Sequence, residues 1–153
     1  MTDVIENPAF DNGENGWTLQ RDAISGQDNF GVQSSSQTTS DGTEFKGFFE
    51  RWTATNPQTS WSITQEINDI PDGRYRLSAY ILTNVKEENG GPKGRYLYAK
   101  SKGGEVKLQA TVPSPDGGGY AAPYTLEFSV IGGSATVGLK VENPNSEWTG
   151  VDN

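Results

Sequence analysis

The chain contains neither cysteine nor histidine. That excludes disulfides, thiolate or imidazole zinc sites, and nucleophile systems of the Ser-His-Asp or Cys-His kind. A metal, if one binds, must be held by oxygen, which points to a hard ion such as calcium. No apolar run approaches the length of a membrane span, and no signal-peptide pattern is visible. Positive charge is in the minority: 12 Lys and Arg stand against 20 Asp and Glu, a net charge of −8 and a pI of about 4.5. Such a surface repels phosphate backbones and disfavours nucleic acid, anionic membranes and polyanionic substrates. A neutral polar ligand remains compatible.

Helical signal is also missing. No stretch keeps a 3.6-residue apolar period over three turns, and with 32% apolar residues and a mean hydropathy of −0.68 the chain is too polar for a helical bundle. What it has instead is 19 Gly, 8 Pro and 10% aromatics, the mix of short strands joined by tight turns. At 153 residues it reads as one domain, 1–153, large enough to bury a core. The pattern predicts strands at 18–21, 31–34, 45–53, 61–67, 75–82, 95–100, 106–112, 124–130, 135–141 and from Trp148 onward. Turn chemistry separates them in "PDG" (71–73), "NGGPKG" (89–94), "PSPDGGG" (113–119) and "GG" (132–133). Residues 25–44 read as a long polar loop carrying one short strand.

Period-2 alternation assigns faces. In "RYRLSAYIL", Tyr75, Leu77, Ala79 and Ile81 point one way, and Arg76, Ser78 and Tyr80 the other. In "ATVGLKVE", Ala135, Val137, Leu139 and Val141 face inward, with Thr136, Gly138, Lys140 and Glu142 outward. "TLEFSV" buries Leu126, Phe128 and Val130. Strands with one wet face make a two-sheet antiparallel β-sandwich. In "EFKGFFERWT" the parity places Phe45, Gly47, Phe49 and Arg51 on one side, and Lys46, Phe48, Glu50 and Trp52 on the other. The second set reads either as a wet face with stacking rings or as aromatics covered by a loop.

Five motifs then occur in order: "NPAFDNGENGW", "ITQEINDIPDGRYRLSAYI", "LYAKSKGG", "ATVGLKV" and "WTGVDN". Together they resemble the carbohydrate-binding modules of the galactose-binding-like jelly-roll type, nearest the family 4, 9 and 22 modules of bacterial xylanases and glucanases and their Bacteroidetes relatives. The resemblance covers nearly the whole chain. It implies a two-sheet jelly roll without catalytic activity, excised from a larger extracellular, cell-surface or periplasmic glycan-degrading enzyme. It would be a monomer tethered to a glycoside hydrolase and would bind a β-linked plant polysaccharide, xylan first and β-glucan second, in a groove on a concave sheet. It also implies a structural calcium tying the N-terminal loop to the last strand. Asp11, where the family more often has Glu, and Asp152 of the final "DN" would supply side-chain ligands. The family's last strand continues past that pair, whereas this sequence stops at Asn153.

Sugars present C–H faces to flat rings and hydroxyls to polar side chains, so exposed Trp and Tyr beside charged or amide groups mark a candidate site. Trp61 stands where xylan-binding relatives carry a groove Trp; its parity with Ile63 and Ile67 argues for the core, but at the strand's entrance it can still face the groove, and it is taken as a sugar contact. Trp52, Glu50 and Tyr80 follow from outward parity, and Lys140 is a hydroxyl donor. Tyr96 and Tyr98 share a face opposite Leu97, with Tyr98 preferred for the groove. Trp17 reads as a plug of the sandwich, and Trp148 as structural. The rival readings are a small jelly-roll glycosidase with paired carboxylates, for which no closely spaced E-x-D-x-E strand is present, and a protein-binding or adhesion module, which would need a flat apolar patch.

Overall fold

The computed structural model describes residues 4–21, 28–34, 36–38, 42–45, 47–53, 60–145 and 148–152. The strands are β1 (Thr18–Arg21), β2 (Asp28–Val32), β3 (Gln37–Thr38), β4 (Glu44–Phe45), β5 (Phe49–Thr53), β6 (Trp61–Ile67), β7 (Gly73–Thr83), β8 (Arg95–Ser101), β9 (Gly104–Gln109), β10 (Tyr120–Val130), β11 (Ala135–Val141) and β12 (Trp148–Asp152). A 3₁₀ turn at Glu87–Asn89 is the one helical piece among the described residues. The first sheet has the order β1-β6-β11-β8-β9 and the second β10-β7-β12-β5-β2, with β3 and β4 forming a separate hairpin. Both sheets are antiparallel throughout.

Alternation explains the layers. Ala135, Val137, Leu139 and Val141 of β11 are all buried, and they meet Leu77 and Ile81 of β7 and Leu126 of β10 in one core between the sheets. β11 is the middle strand of its sheet. Gly138 is required there, because a Cβ would run into the carbonyl of Ile63 on β6. β10 runs back through Pro123 to Tyr120, four residues before the predicted start at 124. It can do so because it is an edge strand of the second sheet, where a missing N–H breaks no ladder bond.

The strand predicted at 45–53 is in fact two. Gly47 has φ 72°, a left-handed conformation that ends β4 before β5 begins. Phe49, Arg51 and Thr53 then face the core, as parity required. Phe45 does not join them: it packs on Tyr80 on the opposite face, ring centroids 4.9 Å apart. Lys46 lies outside the described residues. β2 starts three residues earlier than predicted, and the short β3 was not anticipated.

The N-terminal loop is held by its own polar groups. The Asn7 amide donates to the carbonyls of Gly13 (2.8 Å) and Asn15 (3.1 Å) and accepts from the Asn12 N–H (3.0 Å). Trp17 Nε1 donates to the Asn7 carbonyl at 3.0 Å, and the Trp17 ring packs on buried Phe10 at 5.4 Å. Trp17 thus plugs one end of the core. Buried Gln65 clasps the loop from β6, accepting from Glu6 N–H (2.7 Å) and donating to its carbonyl (2.9 Å).

A second tie crosses the sandwich. Arg95 on β8 is fully buried and donates to Thr149 Oγ1 (2.7 Å), the Lys93 carbonyl (2.8 Å), Asn145 Oδ1 (2.9 Å) and the Trp148 carbonyl (3.4 Å). Burial lowers its guanidinium to about 10, so it stays charged at neutral pH.

Candidate functional site

The predicted sugar-contact residues fall into three places. Tyr98 and Lys140 lie on the outer face of the first sheet. Glu50, Trp52 and Tyr80 lie on the outer face of the second. Trp61 lies in the core between them.

On the first sheet, strand register builds a continuous row. Gln20 of β1 is opposite Ser62 of β6, Ser62 opposite Lys140 of β11, Lys140 opposite Tyr96 of β8, and Tyr96 opposite Gln109 of β9. All five side chains are exposed or half-buried. The row crosses every strand of the sheet, a span of about 19 Å at the usual strand spacing. It offers hydroxyl, amide and ammonium groups with one phenol ring among them.

The neighbouring row carries Thr64, Gly138, Tyr98 and Lys107. Two cation–π contacts join the rows: Lys140 Nζ lies 4.0 Å from the Tyr98 ring centre and Lys107 Nζ 4.9 Å from that of Tyr96. Tyr98 is only 4% exposed, because the ammonium covers its ring. Its phenol donates to Glu105 at 3.4 Å. Burial, then the Glu105 carboxylate, pushes the Tyr98 phenol up, so it is a neutral donor at neutral pH. Tyr96, although Lys107 approaches its ring, is only half-buried and is the more accessible of the two tyrosines, which reverses the preference for Tyr98.

At the β1 side the row opens into a groove lined by Gln20, Arg21, Ser60, Ser62, Lys140 and Glu142, with Phe30 and the edge of Trp61 in its wall. Arg21 stacks on the Phe30 ring at 4.8 Å.

Trp61 is 3% exposed and packs on Phe30 and Phe49, with centroids at 5.5 and 5.9 Å. The core alternative for Trp61 is the one realised, and its ring is not free to stack on a sugar. The reason is parity: Trp61, Ile63 and Ile67 all face inward. Its buried Nε1 meets no acceptor among the described residues.

On the second sheet, Glu50 is buried and accepts from Trp148 Nε1 at 2.6 Å. It lies on the same outer face as a small cluster of Phe45, Phe48, Leu82, Ala121 and Trp148, against which Trp52 and Tyr80 are half-buried. The alternative of aromatics covered by a loop describes this face, since Phe45 of β4 lies on Tyr80. Trp148 is structural, as predicted.

Asp152 is buried at the end of β12 and lines an apolar crevice with Ile5, Pro8 and Phe10 of the N-terminal loop. The loop and the last strand thus do meet. Asp11 is exposed, and no group of three acidic side chains forms among the described residues. A cation at this junction would depend on Asp152 and loop carbonyls. Oxygen donors alone are the right chemistry for calcium.

Gln20, Ser62 and Gln109 were not singled out from sequence. Parity could place Gln20 and Ser62 on a wet face, but only register lines them up with Lys140 and Tyr96.

At the level of sequence, neither a protein-family profile nor any curated protein matches the chain. Solved structures do. TmCBM61, in complex with beta-1,4-galactotriose, is similar with a TM-score of 0.62 at 19% identity, covering 99% of this chain and 95% of that one. A CBM4 module matches with a TM-score of 0.57 at 12% identity, covering 97% and 95%. A cyclase from Fischerella sp. TAU matches with a TM-score of 0.61 at 11% identity, covering 97% and 92%. The shared feature is the fold: the chain is an all-β jelly-roll sandwich, like these structures.

Proposed function

We propose that this jelly roll is a non-catalytic carbohydrate-binding module. It takes a β-linked plant polysaccharide, xylan ahead of β-glucan, across the outer face of its first sheet. The observation that carries the reading is the row Gln20–Ser62–Lys140–Tyr96–Gln109, which crosses all five strands. A sugar ring stacks on Tyr96, and the hydroxyls on either side take hydrogen bonds from the amides, Ser62 and Lys140. Each bond replaces one to water and nets about 0.5–1.5 kcal/mol, so affinity is modest. The galactotriose bound by TmCBM61 on a like fold supports a glycan ligand.

The module raises the local concentration of an attached glycoside hydrolase at its substrate, outside the cell or in the periplasm. A structural calcium would tie Asp152 of the last strand to carbonyl oxygens of the N-terminal loop that carries Asp11. Hydrolysis by the module itself would need a carboxylate pair at the groove; the groove's Glu142 is engaged 3.7 Å from Lys107 Nζ.

Affinity electrophoresis against xylan, β-glucan, mannan and pectin tests the reading. Retardation by xylan is expected, lost in Tyr96→Ala and kept in Trp52→Ala. Absence of retardation on every polymer would overturn it.

A further inference from the structure

The net charge of −8 conceals a local surplus of the other sign. Among the described residues, Lys100, Lys107 and Lys140 on the outer face of the first sheet stand against Glu66 and Glu105, and at the groove end Arg21 adds to Lys140 against Glu142. Charges elsewhere on the protein are screened beyond about 8 Å at physiological ionic strength. What a ligand meets in the groove is therefore set by these side chains and not by the total.

They are not equivalent. Lys107 is paired with Glu142 at 3.7 Å. Lys140 rests on the face of Tyr98, and among the described residues no carboxylate pairs with it. An ammonium has three N–H donors and a ring face leaves them available. Lys140 stands in the middle of the polar row and also lines the groove, so a ligand lying along the row brings its substituents to that ammonium.

From this we infer that the groove accepts a carboxylate-bearing side group, a hexuronosyl substituent on an otherwise neutral glycan chain, with Lys140 as its counter-charge. The inference rests on the glycan reading above. Among the described residues Lys140 is the one lysine lining the groove, and one ammonium suits one sparse carboxylate. A polyuronide, charged on every unit, would also meet Glu66, Glu105 and Glu142 and is rejected.

The test compares a xylan bearing glucuronosyl side groups with the same polymer after carboxyl reduction, by affinity electrophoresis and calorimetry at low and high salt. The acidic xylan should bind about 3- to 10-fold more tightly at low salt. That preference should shrink in 0.5 M NaCl (about a 4–5 Å screening length) and vanish in Lys140→Gln, which weakens binding of the reduced polymer only by the one hydroxyl bond Lys140 gives up and lowers binding of the acidic polymer further, to the same level. Circular dichroism and melting of Lys140→Gln establish that it is folded. Should it not fold, Lys140→Arg, which keeps the charge, must preserve the preference. Equal binding of the two polymers, or a preference that survives Lys140→Gln, overturns this inference and leaves the glycan reading standing. Binding of neither polymer overturns both.

Discussion

Arg95→Met probes the logic of the fold at its most costly buried charge. Three of the guanidinium's bonds, to Thr149, the Lys93 carbonyl and Asn145, are 2.9 Å or shorter. Bonds from a charged donor contribute about 1.5–3 kcal/mol each, so these three together contribute about 5–9 kcal/mol. Against them stands the loss of hydration that lowers the group to about 10, equivalent to about 3 kcal/mol. Methionine recovers about 1–2 kcal/mol by burying an apolar chain but orphans the Lys93 carbonyl. The expected outcome is a loss of about 3 kcal/mol, or about 6–12 °C in Tm for a domain of this size. Urea unfolding followed by circular dichroism reads it as a fall in midpoint at constant m-value. Arg95→Lys, which keeps the charge and loses the planar fork, should cost at least as much. A loss under about 1 kcal/mol in Arg95→Met would refute the reasoning, since the clamp between β8 and β12 would then contribute nothing net.

Four further outcomes follow from the same geometry. Gly138→Ala drives a methyl group into the Ile63 carbonyl and should cost more than about 2 kcal/mol by thermal melting; an unchanged Tm would show that β6 and β11 can part without penalty. Glu50→Leu strands the Trp148 indole N–H and should cost about 1–3 kcal/mol without altering polysaccharide retardation. Tyr98 is held neutral by burial and then by Glu105. A phenol raised in the folded state keeps more protons than in the unfolded one just above the ordinary tyrosine range, so its contribution is complete below that range and lost as pH climbs through it. Alkaline titration of stability should show that decline, flattened in Tyr98→Phe. Chelation of calcium should lower the Tm; an unchanged Tm removes the ion from the N-terminal loop.

Much of the sandwich is legible along the chain. The bounds of β1, β6 and β11 follow from apolar alternation and flanking Gly, Pro and Asn alone, because a half-buried strand must repeat every two residues. The inward set of β11 and the core position of Arg51 follow the same way. The break at Gly47 escaped, since a glycine that passes for a strand residue by parity can equally adopt φ 72° and turn the chain over. Trp61 was drawn toward the ligand by resemblance and toward the core by parity, and parity prevailed because its neighbours Ile63 and Ile67 cannot face water.

Sequence alone determined that this protein is a β-sandwich without thiol or imidazole chemistry, and which side chains of each strand look out. It could not decide which outward side chains share a surface. Trp52 and Lys140 are equally outward, yet the fold sets them on opposite sheets. Tyr96 and Gln20 lie 76 positions apart, yet stand in one row. Alternation is a property of one strand and is written in consecutive residues. Register and sheet order are set by how distant strands jointly bury the core, and no local pattern contains them.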